Sequence, residues 1–326
     1  MNSSIALDTI RMHLPHIDID NLGSRPVPLH SLFDENGQWH MWLQTGEDTL
    51  TEMGGIVVEG CYFAKFPANP HDVHNKFIEF LDQRAGIHEI QYLSRAAFSD
   101  MQNIATSFAK LELAFNNREK YPGTHRMAAT ELEYIFIVCR SLLDIMQETI
   151  ALLWERVQLN DSSLKKRDLP RSFTKMVMRD GVCLTADEIA DKYQIPSALA
   201  IVYHETGPYF NWLKQYRDYI THSGKSFDRV LIVENGFAIR SKEKPFSEMG
   251  IWVASNTGAN HLGSLKSAAC YVVNSTINVI NEIITRLDSA VTFPPPIAPN
   301  YKIFICGENI EYLHRVSRGI KEDPWF

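Results

Sequence analysis

The chain has 326 residues, 45% of them hydrophobic and 22% charged, with a formal net charge of −7. That length can bury a substantial core, and that composition excludes extensive disorder. The acidic balance excludes tight, sequence-blind coating of nucleic acid, which feeds on positive surface, so any RNA site must be local.

No run of about 18 apolar residues occurs, so no membrane-spanning helix is expected. The opening MNSSIALDTIRMHL lacks the basic and apolar regions of a secretory signal, and the expectation is a cytoplasmic protein with no membrane contact. The five cysteines (Cys61, Cys139, Cys183, Cys270 and Cys306) are odd in number and scattered, with no C-x-x-C and no zinc spacing. They read as reduced thiols, and neither a metal nor a cofactor is implied.

Up to about Phe66 the chain shows turn residues and short β-leaning runs such as GQWHMWLQT and GGIVVEGCYFAKF, which predict a small mixed or β-rich N-terminal region over 1–95. HLPHIDID offers His13, His16, Asp18 and Asp20, and HDVH offers His71 and His74. Such short spacings outside a metal scaffold are more simply coincidence. A helical period then takes over. Ser99 or Asp100 is the expected N-cap of a helix carrying Met101, Ile104, Phe108, Leu111 and Phe115. A second helix, from about Thr130 to Val157, places Leu132, Ile135, Val138, Cys139, Leu142, Met146, Ile150 and Leu153 on one face.

The following segment SSLKKRDLPRSFTKMVMRD concentrates positive charge. If Pro170 opens a helix there, Arg171, Lys175 and Arg179 recur every four residues and share a face that could touch RNA; a solvated surface explains them as well. Thr185-x-x-Glu188 has the form of a capping box. Residues Ile195 to Tyr203 continue the bundle, and a third major helix is expected after Thr206, with Pro208 in its first turn and Gly224 beyond its end. Asn235-Gly236 between two β-prone runs predicts a hairpin. A last long helix is expected from about Ser264 to Leu287 and is broken by FPPPIAP. The strand-like KIFIC beyond it is either an added strand or an arm exchanged in a dimer. The expected class is therefore mainly α: an antiparallel helical bundle over 96–292 with an inserted β-hairpin, then a Pro-rich linker and tail over 293–326.

The chemistry concentrates in YRDYITHSG, from Tyr216 to Gly224. Tyr209, Leu213, Tyr216 and Ile220 supply the buried stripe of that helix, which leaves Arg217, Asp218 and His222 free for other work. Asp218 and His222 stack at i, i+4, so the carboxylate could orient the imidazole. Arg217 lies about 140° around from His222 at 100° per residue, so a site using both needs a cleft that wraps the helix end, most easily one shared with a second copy of the chain. A surface ion pair between Asp218 and Lys214 or His222 is the alternative reading. Two nearby patterns carry no site: His204-Glu205 lacks the second histidine of a zincin, and SGKS at 223–226 lacks the upstream spacing of a phosphate loop.

Arg-Asp-x-x-x-His late in a helical bundle resembles the R-x4–6-H motif of HEPN domains, matched by Arg217, Asp218 and His222. EYIFIVCRSLLDIMQETIALLW, with its Arg140-Ser141-x-x-Asp144 pattern, looks like the long early helix of such bundles. The resemblance implies an HEPN-like bundle and a homodimeric, metal-independent endoribonuclease of the kind found in toxin, phage-defence and RNA-processing systems. Other members are non-catalytic scaffolds that bind a partner protein or a nucleotide, and that reading stays open beside the first. The chemistry is coherent for RNA cleavage through its own 2′-hydroxyl, since histidine suits proton transfer near neutral pH and arginine's fork of donors suits the phosphorane.

Overall fold

The computed structural model describes residues 4–6, 17–21, 31–46, 49–53, 59–85, 90–222 and 230–326. His13, His16 and the run at 223–226 lie outside the described residues. The first part of the chain supplies strands β1 (Ser4–Ala6), β2 (Ser31–Phe33), β3 (Trp39–Gly46), β4 (Thr49–Met53), β5 (Gly60–Ala64) and β6 (Val73–His74), then a short helix, α1 (Lys76–Phe80). Helices α2 (Gln91–Asn116), α3 (Thr124–Trp154), α4 (Phe173–Val177), α5 (Ala186–Tyr193) and α6 (Ser197–His222) follow, with two-residue strands β7 (Gln158–Leu159), β8 (Met178–Arg179) and β9 (Val182–Cys183) between them. Strands β10 (Leu231–Val233), β11 (Gly236–Arg240) and β12 (Leu262–Ser264) precede α7 (Leu265–Ala290), and β13 (Val291–Thr292), β14 (Lys302–Cys306) and α8 (Glu311–Gly319) complete the order.

The mainly helical class expected from periodicity is corrected by a seven-stranded mixed sheet of order β1-β4-β3-β2-β5-β14-β6. Its ladders are antiparallel except the one between β2 and β5. KIFIC is an inner strand of that sheet: Ile303 opposes Phe63, Phe304 opposes Tyr62 and Ile305 opposes Cys61. The period of two sorts these side chains. Phe63, Ile303 and Ile305 join the core shared with the helices, whereas Tyr62, Ala64, Phe304 and Cys306 form a second cluster on the opposite face. Sheet and helices thus share one continuous core. The mainly helical expectation fails because the six N-terminal strands do not form a separate small region: β14, more than two hundred positions on, inserts between β5 and β6 and ties them into the core of the helices.

Long helices follow the expected periods, with shifted ends. α2 begins at Gln91, ahead of the expected cap at Ser99 or Asp100, because Leu93 and Ala97 extend the buried stripe backwards. α3 begins at Thr124, where Gly123 in the left-handed region (φ 94°) turns the chain into the helix. α5 starts at the Thr185–Glu188 capping box, with both reciprocal hydrogen bonds present. The hairpin expected at Asn235-Gly236 forms with its turn one residue earlier: Glu234 and Asn235 join β10 to β11, Gly236 already pairs with Val233, and β12 adds a third strand. α6 differs most. It runs unbroken through Pro208, since Tyr203, Phe210 and Leu213 are wholly buried on both sides of the proline and this packing overrides the lost backbone bond.

Two polar ties fix α6 against its neighbours. The buried Gln147 of α3 accepts a hydrogen bond from the Tyr203 hydroxyl (2.8 Å) and donates to the Pro170 carbonyl (2.8 Å). The Tyr209 hydroxyl donates to the Val272 carbonyl of α7 (2.8 Å).

Candidate functional site

α3 carries a charged residue inside its apolar stripe. Val138, Cys139, Leu142, Leu143 and Met146 are buried, and so is Arg140, at 4% exposure. One turn on, Asp144 forms a close ion pair with the Arg140 guanidinium and accepts the backbone N–H of Phe173 at 3.4 Å. The guanidinium lies over the ring of Phe210, 4.2 Å from its centroid, and that ring stacks on Phe173 at 4.5 Å. Nη2 donates to the Thr174 hydroxyl at 3.4 Å, and Nε has no hydrogen-bond partner. α3, α4 and α6 therefore cradle one cation on an aromatic floor.

Arg217 and Asp218 of α6 stand close enough for their charges to act on it. Burial pulls the Arg140 pKa down, Asp144 opposes that, Arg217 adds to it and Asp218 counters it. Asp218 contacts Arg217 at 3.1 Å and Lys214 at 3.9 Å. The carboxylate expected to orient His222 thus engages two cations on its N-terminal side. His222 is the last residue of α6, and its side chain lies outside the described residues. The seam between α3 and α6 collects Arg140, Lys214 and Arg217 with two carboxylates, an arrangement suited to holding a phosphate group.

The expected RNA-contacting stripe is corrected, because α4 spans only Phe173–Val177 and the four-residue repeat does not continue through it. Arg171 precedes the helix and faces Glu148 at 3.8 Å. Arg179 lies in β8 and binds Glu188 at 2.7 Å, while Lys175 offers its carbonyl to the Tyr193 hydroxyl at 2.6 Å. Other cations of the segment act as helix caps. Lys166 donates to the carbonyls of Trp154 (2.6 Å), the last residue of α3, and Val157 (2.7 Å) just beyond it, and Arg167 to that of Lys192 (3.1 Å) at the end of α5.

Two further histidines have local partners. His74 pairs with Glu79 at 2.5 Å, and His204 Nδ1 bonds the Leu184 carbonyl at 2.8 Å. Among the described residues no three His, Cys, Asp or Glu side chains gather as a metal site would need. Burial pushes the thiols of Cys139 and Cys270 up to about 12, which leaves them poor nucleophiles. Arg140 had one legible signal, a lone cation four residues before an aspartate within an apolar helix face. Thr174 and Phe210 had none, since their part depends on how three helices meet. No protein family, curated protein or solved structure matches the chain.

Proposed function

We propose that the chain is an endoribonuclease of HEPN type acting as a homodimer, with Arg217 holding the scissile phosphate and His222 moving the protons. One observation carries this reading: the cations of α6 meet the buried Arg140–Asp144 pair of α3, concentrating phosphate-binding groups just before the histidine of the motif. His222 takes the proton of an RNA 2′-hydroxyl, whose oxygen attacks the adjacent phosphorus. Arg217 holds the equatorial oxygens with two parallel donors, and the 5′-oxygen leaves with a proton returned from histidine. The products are a 2′,3′-cyclic phosphate and a 5′-hydroxyl. Arg217 and His222 stand about 140° apart around α6, so two copies of the chain are needed to bring both to one phosphate.

The experiment incubates wild type, His222→Ala and Arg217→Ala with labelled single-stranded RNA in EDTA, because the proposed chemistry uses side chains alone. Loss of a positioned acid–base group lowers rate by about 10²- to 10⁴-fold, so both variants are expected to be nearly silent. Equal cleavage by all three refutes the assignment. The hold of Arg217 and Lys214 on Asp218 favours a second reading, a phosphate-binding scaffold. RNA retained by wild type without cleavage is its signature.

A further inference from the structure

A groove of about 740 Å³ is lined by the loop between β11 and β12, residues 241–261, which the ribonuclease reading does not use. Its size suits a small molecule. Lys242 and His261 belong to its lining and are both exposed, with the lysine Nζ 2.7 Å from the imidazole Nε2. Neighbouring cations are matched, Arg240 by Glu243 at 2.8 Å and Lys244 by Glu248 at 2.6 Å. Among the described residues no carboxylate pairs with Lys242, whose partner is the imidazole. Its ammonium has three donors and the imidazole takes one, which leaves two for an anion.

The loop is held in this form at a cost. Asn260 and His261 are successive non-glycine residues in the left-handed region, each at φ 57°, a conformation that L-residues avoid. Ser241 fixes the second of them, since its N–H and its hydroxyl both donate to the His261 carbonyl, at 3.0 and 2.8 Å. Trp252 gives the groove an aromatic wall. Its indole N–H donates to the Phe246 carbonyl at 2.7 Å, and its ring packs so closely on Gly263 that a Cβ there would fall 2.3 Å from it. A ring pinned in this way has little freedom left to lose when a planar group lies against it. The groove thus sets a cation with no carboxylate beside it next to a fixed aromatic surface, the two features that recognise the phosphate and the base of a nucleotide.

We infer that this groove binds a nucleotide, its phosphate on Lys242 and its base against Trp252, supplied either as a free molecule or as one residue of an RNA chain. Calorimetry of the full chain carrying Arg217→Ala tests it, so that phosphate held on α6 is not counted and a failed ribonuclease reading leaves the result intact. Adenosine monophosphate is expected to bind saturably and at least about tenfold more tightly than adenosine or ribose 5-phosphate, each of which makes only one of the two contacts. Lys242→Gln, at an exposed position, should bring the monophosphate down to the level of adenosine. His261→Asn keeps a residue that tolerates the left-handed region and removes the imidazole; it should weaken the monophosphate and leave adenosine unmoved. No saturable binding of the monophosphate overturns the inference, as does equal affinity for adenosine or ribose 5-phosphate, or an affinity unmoved by Lys242→Gln. A five-residue RNA distinguishes the two sources: tighter binding than the monophosphate assigns the groove to an RNA chain, and weaker binding assigns it to the free nucleotide.

Discussion

Two ion pairs on neighbouring helices each set a cation one turn before an aspartate and sit in opposite surroundings. In α3, Arg140 reaches Asp144 one turn on, with the arginine side chain only 5% exposed. In α6, Lys214 reaches Asp218 one turn on and Arg217 reaches it from next door, with all three side chains about a third exposed. The first pair is walled by Phe210, Phe173 and Thr174; the second stands at the rim. Spacing decides which charges can meet, whereas burial decides what their meeting is worth.

The largest expected effect follows from breaking the buried pair. Arg140→Ala removes a guanidinium that fills space over Phe210 and leaves Asp144 without its partner, and such losses run to about 3–5 kcal/mol. The low end applies here, because the Asp144 side chain is 42% exposed and can rehydrate. Arg140→Met leaves Asp144 equally unpaired but keeps an unbranched apolar stem over the ring, and should cost less than Arg140→Ala by the cavity that the alanine opens. Urea unfolding of the two variants, at equal m-values, measures the difference. Equal destabilisation by Ala and Met would erase the contrast between the two sites.

What could be read from residues alone follows the same division. The stripes of α3 and α7, the Thr185 capping box and the hairpin around Asn235 are local patterns whose signal lies within one or two turns of chain, and the structure carries them, the hairpin with its turn one residue earlier than expected. The β-rich start of the chain was legible in GQWHMWLQT and GGIVVEGCYFAKF, but the insertion of β14 into its sheet was not, because the pairing of Cys61 with Ile305 leaves no trace in either strand by itself. Pro208 misled for the opposite reason: a strong local breaker is overruled by the packing of Phe210 and Leu213. In the site, the order Arg217, Asp218, His222 was plain, but the preference of Asp218 for Arg217 and Lys214 needed coordinates. The burial of Arg140 needed them too, since it depends on α4 closing over α3.

The exposed network should answer weakly to the same treatment. Arg217→Ala is expected to lower stability by no more than about 1 kcal/mol, while RNA cleavage falls far more. Salt separates the two cases further. Raising ionic strength shortens the range of exposed charges, so the Arg217 penalty should shrink as salt is added while the Arg140→Ala penalty persists. Chemical denaturation by urea at low and high sodium chloride tests both, and a salt-insensitive Arg217 effect would place it with the buried class.

A double-mutant cycle then asks whether the two sites feel each other. The Arg217 charge works against that of Arg140, so Arg217→Ala loses its contact with Asp218 but relieves a repulsion. In an Arg140→Met background nothing remains to relieve, and Arg217→Ala should cost more there, by about 0.5 kcal/mol. Strict additivity of the two substitutions would mean that the seam transmits no charge between α3 and α6.

The smallest effect concerns Asp100 of α2, whose hydrogen-bond partner Ser141 follows Arg140 in sequence. Burial raises the pKa of this carboxyl, and the hydrogen bond from Ser141 only partly opposes the rise. A carboxyl with a raised folded pKa holds its proton more tightly when folded, so its contribution is fully present below the unfolded value and is lost as pH rises through the folded one. At neutral pH the ionised Asp100 is therefore a net cost. Asp100→Asn imitates the protonated form at every pH and should melt above wild type at neutral pH. The advantage should vanish below about pH 4, where wild type is itself protonated. Paired melting curves across that range decide the sign. An asparagine variant less stable than wild type at neutral pH would show that the charged carboxylate is the form this helix pair is built around, and the rule that burial sets the worth of a charge would fail one residue away from Arg140.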